Sequence, residues 1–281
     1  MRVAIAQTDC VLGDVEANLK DARARIEDAA SQGADLVVFP ELALHGYALG
    51  QLDEDTSLRA DDERLLALGE LGPDVLIGFY ERRRLRHFNS AAYLSRGGIT
   101  SLHHKLYLPN YLMWEERKHF FPGRSIRAFD TDHGRAATVI CNDAWQPMVP
   151  WLAAQDGAEI LFVPTNSAAV GGVDGDAGPL DNNVYWQDLV RQLARMQQCY
   201  VIFANRVGQE NGVSFWGGSQ IVDPFGTVLA EAPLWRTATV TAEIDVAVVR
   251  RQRHRLPLLQ DPRFDLLNRE LERLVETDEH P

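Results

Sequence analysis

The sequence predicts an α/β protein whose sheets contain both parallel and antiparallel strands. Apolar runs of strand type alternate with amphipathic segments of helical period along most of the chain. Turn signals that join neighbouring strands directly also occur, at Arg96-Gly97-Gly98 and at Asp223-Pro224-Phe225-Gly226. Because βα alternation gives parallel strands and hairpins give antiparallel strands, we expect mixed sheets.

The first part of the chain predicts five strands and two helices. The strands are expected at residues 2–7, 36–39, 75–79, 88–95 and 99–104, and the helices at 15–32 and 61–71. Asp14 is the expected N-cap of the first helix, and Gly33 is its expected stop. Pro40 cannot donate to a strand ladder, so we expect it to end the buried run before it.

The second part continues the same alternation. Strands are expected at residues 137–140, 160–163, 200–204, 215–222, 227–231 and 238–244, and helices at 147–155, 184–198 and 246–254. Pro164 is expected to end the second of these strands. The chain shows no internal repeat and no change of composition, so we expect one domain over residues 1–281. Its core is expected at about 2–254, and the tail 255–281 is a candidate for an oligomer interface.

Composition and charge exclude several classes of function. The formal net charge is −12 and the isoelectric point is near 5.1, so nucleic acids and anionic membranes would be repelled. The one basic cluster, Arg82-Arg83-Arg84 with Arg86, is expected on a solvated loop. The Gly- and Asp-rich stretch 174–178 has some features of a calcium loop. We interpret it as an ordinary loop, because Tyr185 stands where the last acidic ligand would be.

The N-terminus and the cysteines predict a cytoplasmic protein. The chain enters a strand pattern at Met1, so we expect no signal peptide, and it contains no apolar run long enough to span a bilayer. Cys10, Cys141 and Cys199 are odd in number and far apart, which indicates free thiols. No metal-type spacing of ligands occurs, so we expect neither a metal nor a cofactor.

Three chemically reactive side chains directly follow predicted strands: Glu41, Lys105 and Cys141. Open α/β sheets bind ligands at the carboxyl ends of their strands. A thiol nucleophile needs a base, because an ordinary cysteine pKa of about 8.5 leaves little thiolate at neutral pH. A buried carboxylate can serve as that base, and an ammonium beside backbone N–H groups can stabilise an oxyanion. On these residues alone, a packed thiol and two surface charges remain the alternative.

Three stretches resemble the signature motifs of the nitrilase superfamily of carbon–nitrogen hydrolases, in the same order. They are Phe39-Pro40-Glu41-Leu42 with Gly46-Tyr47, His104-Lys105-Leu106-Tyr107-Leu108-Pro109, and Cys141-Asn142-Asp143-Ala144-Trp145. The resemblance covers about residues 2–245. It is similar in detail to amidases, including the glutamine-amidase domain of NAD synthetases, and we expect no synthetase domain to follow. That likeness rests on the stretches 41–47 and 108–111.

The resemblance implies a four-layer α-β-β-α sandwich with mixed sheets, whose subunits form a homodimer or a higher homo-oligomer. It also implies that Cys141 is the nucleophile, Glu41 the general base and acid, and Lys105 the oxyanion stabiliser. The backbone N–H of Asn142 would be the second oxyanion donor. A further glutamate in the family's long loop positions the catalytic groups, and Glu116 fits that place better than the residue before it.

The resulting hypothesis is a metal-free hydrolase that cleaves a small linear amide through a cysteine thioester. Asn142, Trp145, Tyr47 and Tyr111 are the candidate substrate-binding residues. An N-carbamoyl amide hydrolase and a nitrilase remain alternatives within the family. A non-catalytic binding protein on the same fold is the alternative from a different class, and the intact Glu41, Lys105 and Cys141 argue against it.

Overall fold

A computed structural model of the chain describes residues 1–111, 114–169 and 181–279. The predicted loop at 174–178 lies outside these residues. Strands β1 to β14 are, in chain order, Arg2–Gln7, Leu36–Val38, Asp74–Arg83, Arg86–Ser95, Gly98–His104, Ala128–Thr131, Gly134–Thr138, Ile160–Thr165, Tyr200–Asn205, Val207–Glu210, Val213–Trp216, Gln220–Val222, Val228–Glu231 and Ala238–Glu243. Helices α1 to α6 are Val15–Ser31, Glu63–Leu66, Met148–Gln155, Asp181–Gln197, Val246–Arg255 and Phe264–Glu279.

Two six-stranded sheets form the centre of the fold. The first has the strand order β14-β1-β2-β3-β4-β5, and the second has the order β13-β12-β9-β8-β7-β6. In the first sheet β1, β2 and β3 are parallel and the outer pairs are antiparallel. In the second sheet β7, β8 and β9 are parallel and the outer pairs are antiparallel. The prediction of mixed sheets is therefore confirmed.

Three hydrophobic clusters give the order of the layers. Side chains of both sheets meet in one central cluster, where Val3 and Ile5 of β1 belong with Ile160 and Phe162 of β8. The other face of the first sheet packs against α1. The other face of the second sheet packs against α3 and α4. Helix, sheet, sheet and helix thus follow one another, as the four-layer sandwich requires.

Local signals explain why several elements begin and end where they do. The carboxylate of Asp14 accepts a hydrogen bond from the backbone N–H of Ala17 at 3.0 Å, which confirms the predicted N-cap of α1. In the second predicted turn, the Gly226 N–H donates to the Asp223 carbonyl at 2.9 Å, as a type I turn requires. No helix in the described ranges is both long and apolar enough to cross a bilayer.

The prediction that Pro164 ends a strand is wrong. Strand β8 continues through Thr165, and Pro164 pairs in register with Ala204 of β9. The Phe162 carbonyl accepts a hydrogen bond from the backbone N–H of Val139, the first residue after β7, so the backbone groups of Phe162 face β7. Residues two positions apart in a strand face the same side, so Pro164 faces that side too. The missing N–H of Pro164 therefore faces a side where β7 has already ended, and no ladder bond is lost.

Other differences concern elements that the sequence pattern merged or missed. The predicted strand 215–222 is two strands, β11 and β12, because Gly217 and Gly218 take positive φ angles of 78° and 60° between them. Strand β11 pairs with β10 in a separate two-stranded sheet. The sequence pattern predicts no helix in the tail, yet the tail contains the 16-residue helix α6.

Candidate active site

Glu41 lies just past the carboxyl end of β2, in a turn where the chain leaves the sheet. Leu42 has a positive φ of 48°, which is rare for a residue with a side chain. Strand β3 passes so close that a Cβ added to Gly78 would lie 2.4 Å from the Leu42 nitrogen and 2.6 Å from the Pro40 carbonyl oxygen. Only glycine allows this approach, which fixes the position of the Glu41 backbone.

The carboxylate of Glu41 is buried and accepts three hydrogen bonds. Oε1 accepts from Asn89 Nδ2 at 2.7 Å and from Lys105 Nζ at 2.7 Å. Oε2 accepts from the backbone N–H of Asn166, at 2.8 Å. Asn89 comes from β4 and Asn166 follows β8, so the donors reach Glu41 from both sheets. These bonds hold the carboxylate in one orientation.

Lys105 follows β5 and connects two carboxylates. Its ammonium donates to Glu41 Oε1 and to Glu116 Oε1, the second at 2.6 Å, and its side chain has no exposed surface. Burial disfavours the charge, but the carboxylates of Glu116 and Glu41 outweigh burial and hold the pKa of Lys105 well above its ordinary value. Lys105 therefore stays cationic in this site.

Glu116 is buried and lies in the 3₁₀ turn Glu116–Lys118, within the loop between β5 and β6. Its Oε1 also accepts from the Tyr47 hydroxyl at 2.6 Å. Burial, opposed by Lys105 and aided by Glu41, raises the pKa of Glu116 to about 7. Its Oε2 is buried and has no hydrogen-bond partner among the described residues.

Cys141 follows β7 at the first position of a 3₁₀ turn that ends at Trp145. Its φ is +46°, a strained conformation that turns the chain sharply at the end of the strand. Burial raises the pKa of the Cys141 thiol well above its usual value, and Glu41 adds to this while Lys105 opposes it. The same backbone N–H of Asn166 that bonds Glu41 also lowers the thiol pKa. The thiol is therefore protonated at neutral pH and lies within the field of Glu41 and Lys105.

Asp143 connects the Cys141 turn to the Lys105 segment. Its Oδ1 accepts from the backbone N–H groups of Leu106 and Tyr107, at 2.9 Å and 2.8 Å. Its Oδ2 accepts from the Ile140 N–H at 3.1 Å and contacts His103 at the same distance. Asp143 is fully buried. One carboxylate thus fixes the ends of β5 and β7 relative to each other.

The four predicted substrate-binding residues occupy different places. Tyr47 contacts Glu116 directly, as described above. Asn142 donates to the Tyr107 carbonyl at 3.1 Å, and it lines one groove together with Tyr111. Trp145 is 39% exposed and packs edge to face against Trp186 of α4, which belongs to the hydrophobic cluster between the second sheet and its helices. Tyr47, Asn142 and Tyr111 therefore lie around the triad of Glu41, Lys105 and Cys141. Trp145 instead contacts the helical layer.

Asn89, Asp143 and Asn166 were missed as site residues. Asn166 had a usable signal, because it follows an apolar strand just as Glu41 and Cys141 do. Asn89 lies inside β4 and reaches Glu41 only because β4 pairs with β3 and β3 pairs with β2, which the sequence pattern does not reveal. Within the described ranges, no group of three or more His, Cys, Asp or Glu side chains could hold a metal ion. The expectation of a metal-free enzyme stays a prediction.

The family profile described as carbon–nitrogen hydrolase matches residues 2–254. The chain belongs to the carbon–nitrogen hydrolase family. It is an enzyme of the kind that hydrolyses carbon–nitrogen bonds. The predicted membership of the nitrilase superfamily is confirmed.

Two relatives among the curated proteins illustrate the range of this hydrolase family. The chain is 30% identical over 251 residues to the glutamine-dependent NAD(+) synthetase of Thermotoga maritima, covering 88% of this chain but only 42% of the synthetase. It is 28% identical over 272 residues to the N-carbamoylputrescine amidase of Arabidopsis thaliana, covering 90% of this chain and 89% of that enzyme.

Solved structures support the fold of this hydrolase. A carbon–nitrogen hydrolase from Helicobacter pylori superposes with a TM-score of 0.87 at 24% identity, over 96% of this chain and 98% of that one. An amidase from a Nesterenkonia species superposes with a TM-score of 0.78 at 24% identity, over 96% and 99%. At this identity the likeness concerns the fold alone, and it agrees with the four layers described above.

Proposed function

We propose that this hydrolase cleaves a small linear amide, with Cys141 as nucleophile, and releases ammonia or an amine and a carboxylic acid. The observation that carries the proposal is the buried group in which Lys105 bridges Glu41 and Glu116 beside the Cys141 turn. This group supplies a base, a cation and a thiol, which are the three components that acyl transfer needs.

The first half of the proposed reaction forms the thioester. Because the pKa of the Cys141 thiol is raised, the thiol needs a base as it attacks, and the Glu41 carboxylate takes its proton. The sulfur–carbon bond forms as the carbonyl π bond opens. The oxyanion is stabilised by the Lys105 ammonium and by the backbone N–H of Asn142. Protonated Glu41 then gives its proton to the nitrogen, the carbon–nitrogen bond breaks, and ammonia or an amine leaves.

The second half hydrolyses the thioester. Glu41, again ionised, takes a proton from water as the oxygen attacks the thioester carbonyl. The sulfur–carbon bond then breaks, the thiolate regains the proton from Glu41, and the carboxylic acid leaves. Both halves use the same base, the same cation and the same oxyanion position. Glu116 does not transfer a proton in this scheme but holds the Lys105 ammonium in place.

Buried polar atoms without a partner support an amide rather than a nitrile. Both polar atoms of the Asn166 side chain lack a partner among the described residues, as does Glu116 Oε2. They comprise one donor group and two acceptors on residues beside the proposed base, because the Asn166 backbone contacts Glu41 and Glu116 shares Lys105 with Glu41. A carboxamide has an acceptor oxygen and N–H donors that could satisfy them, whereas a nitrile has no N–H and would leave the acceptors unpaired.

An N-carbamoyl amine is the second candidate substrate, because it carries the same terminal carboxamide group. The likeness to a protein named N-carbamoylputrescine amidase, over nearly the full length of both chains, favours it. The likeness to part of a glutamine-dependent synthetase instead favours an amide such as glutamine. The geometry of the triad supports both substrates equally.

Ammonia release distinguishes these candidates. The purified protein is incubated with linear primary amides, glutamine, N-carbamoyl amines and nitriles, with Cys141→Ala as the blank. Release from an amide or carbamoyl compound by the wild type alone supports the proposal. Release from nitriles alone, or equal release by the blank, would contradict it.

We further infer that the chain is one cytoplasmic domain that forms a homodimer. The shared core between the two sheets supports a single unit, and the buried free thiols Cys10 and Cys199 suit a reducing compartment. Helix α6 supports the dimer, because it presents an apolar stripe to solvent. Its members Phe264, Leu271, Leu274 and Val275 are each more than half exposed. A second copy that covers this stripe would remove it from water.

A further inference from the structure

A second buried ion pair lies near the site and has no part in the reaction proposed above. Arg206 Nη1 donates to Glu210 Oε2 at 2.9 Å, and their side chains are 1% and 6% exposed. Arg206 Nη2 also reaches Asp9 Oδ1 and the Cys10 carbonyl, each at 3.3 Å. The guanidinium carbon lies 4.4 Å from the centre of the Phe215 ring. Arg206 is therefore held on several sides and gives Glu210 a fixed partner.

The other oxygen of Glu210 fixes the turn that follows Glu41. Oε1 accepts from the backbone N–H groups of Tyr47 and Ala48, at 2.7 Å and 2.6 Å. Gly46 has a φ of +83°, and a Cβ there would lie 2.5 Å from Glu210 Oε2. This close approach requires glycine at position 46. The Glu210 carboxylate therefore packs directly against the backbone of the turn and also accepts its N–H groups.

The Tyr47 side chain connects this turn to the candidate active site. Its hydroxyl donates to Glu116 Oε1, which also accepts from Lys105. Its ring packs edge to face against Trp114, with the ring centres 5.2 Å apart. Direct contacts therefore run from Glu210 through Tyr47 and Glu116 to Lys105.

We propose that Glu210, held by Arg206, is a positioning residue: it fixes the Tyr47 turn so that the Tyr47 hydroxyl keeps Glu116 on Lys105. The proposal rests on the function proposed above. Lys105, Glu41, Tyr47, Cys141 and Tyr111 are titratable groups that interact with Glu116. Among them, the Tyr47 hydroxyl and Lys105 favour the ionised carboxylate. Loss of the hydroxyl raises the pKa of Glu116, so more of Glu116 is protonated at a given pH and its hold on Lys105 weakens.

A double-mutant cycle tests this chain of contacts. Wild type, Tyr47→Phe, Glu210→Gln and the double variant are compared in kcat, KM and pH profile. Each single change is expected to lower kcat by about tenfold to a hundredfold with little change in KM, because misplaced catalytic groups weaken the transition state. The acid limb of the profile is expected to move to higher pH. The double variant is expected to be no worse than the poorer single variant, because both act through one hydroxyl.

Tyr47→Phe keeps the proposal testable if Glu210→Gln folds poorly, since it leaves the ion pair with Arg206 intact. Glu159→Gln is the matched control, because Glu159 is equally buried and pairs with Arg250 at 2.5 Å, away from the site. It is expected to lower the free energy of unfolding and to leave kcat unchanged. The proposal would be overturned if Glu159→Gln lowered kcat as much as Glu210→Gln does. It would also be overturned if the two single losses in kcat multiplied in the double variant, or if Tyr47→Phe kept a normal kcat.

Alkylation of Cys141 by iodoacetamide gives a readout that needs no substrate. Its rate is followed by mass spectrometry of peptides, with Cys10 and Cys199 as internal references. Tyr47→Phe, Glu210→Gln and the double variant are expected to shift its pH dependence equally, and Glu159→Gln not at all. If the wild type hydrolyses none of the tested compounds, the proposed function fails, while this measurement still decides whether Glu210 acts through Tyr47.

Discussion

The Lys105 ammonium lies 2.7 Å from Glu41 Oε1, and neither side chain is exposed to solvent. Glu116 approaches the same ammonium, so the buried group contains two carboxylates and one cation. A buried group with an excess carboxylate favours uptake of a proton, and the raised pKa of Glu116 is the expected consequence. The contact therefore couples the placement of the proposed base to the protonation of Glu116.

Replacing Cys141 by alanine is expected to abolish turnover and to preserve the fold, because the change from thiol to methyl is small. The loss should be several orders of magnitude, since no other group supplies the nucleophile. Ammonia release and thermal unfolding are measured on the same sample. Cys199→Ala is the control, because Cys199 is 1% exposed and its thiol pKa is raised to about 12 by burial. Activity of Cys141→Ala above about one per cent of wild type would exclude Cys141 as the nucleophile.

Lys105→Ala is expected to slow acylation by about a hundredfold or more while substrate binding changes little, since the cation acts mainly on the oxyanion. Glu41→Gln is expected to block both formation and hydrolysis of the thioester, because the amide cannot accept the proton. Rapid quenching followed by mass spectrometry of the intact protein measures the acyl-enzyme in each variant. Normal turnover of Glu41→Gln, or a change in KM alone for Lys105→Ala, would contradict the assigned roles.

The value of kcat/KM is expected to fall as the pH drops through about 7, because Glu116 becomes protonated there and its hold on Lys105 weakens. Glu116→Gln should remove most of this fall in kcat/KM at acidic pH and should lower the value of kcat/KM at higher pH. The contribution of Glu116 to the free energy of unfolding has the opposite dependence on pH. The folded-state pKa of about 7 exceeds the ordinary value of 4.5, so the folded protein binds the proton more tightly than the unfolded chain. Relative to Glu116→Gln, the wild type should therefore lose stability as the pH rises from 4.5 to about 7.

Urea unfolding of both proteins at about pH 5 and about pH 8 tests the stability part of this prediction. The comparison between wild type and variant removes the contribution of the other titrating groups. A difference in free energy of unfolding that is independent of pH would show that Glu116 has an ordinary pKa.

Exhaustive treatment with a chelator is expected to leave the rate unchanged, because the proposed steps use only a thiol, a carboxylate and an ammonium. Metal content and activity are measured before and after dialysis against the chelator. A loss of activity that zinc or another divalent ion restores would overturn the mechanism.

Sedimentation at micromolar concentration is expected to find at least a dimer. Leu271→Glu and Leu274→Glu place charges in the apolar stripe of α6 and are expected to favour the monomer, because a buried unpaired charge is unfavourable. Leu85→Glu is the matched control, since Leu85 is 95% exposed in the turn between β3 and β4. A monomeric wild type, or equal dissociation by all three changes, would contradict the proposed interface.

The sequence by itself determined the α/β class, nearly all of the long strands and the three strand-end residues. It could do so because Leu36 to Val38 and Ile160 to Val163 are apolar runs, and a run of apolar residues indicates burial whichever element covers it. The position of Glu41 directly after such a run was therefore visible in the sequence. Helix α6 is not predicted, because the prolines and charged residues of 255–281 favour a tail, although the leucines of this helix recur at helical spacing.

Tertiary structure alone decided which side chains meet. Glu41 and Lys105 are 64 residues apart, Asn166 is 125 residues from Glu41, and the bond from Glu210 to Tyr47 spans 163 residues. Periodicity reports which face of an element is buried but not which element lies against that face. The contacts of Asn89, Asn166 and Glu210 depend on sheet pairing and on the packing of one sheet over the other. Hydrogen bonds of this kind act over about 3 Å in space, and no local pattern in the chain encodes them.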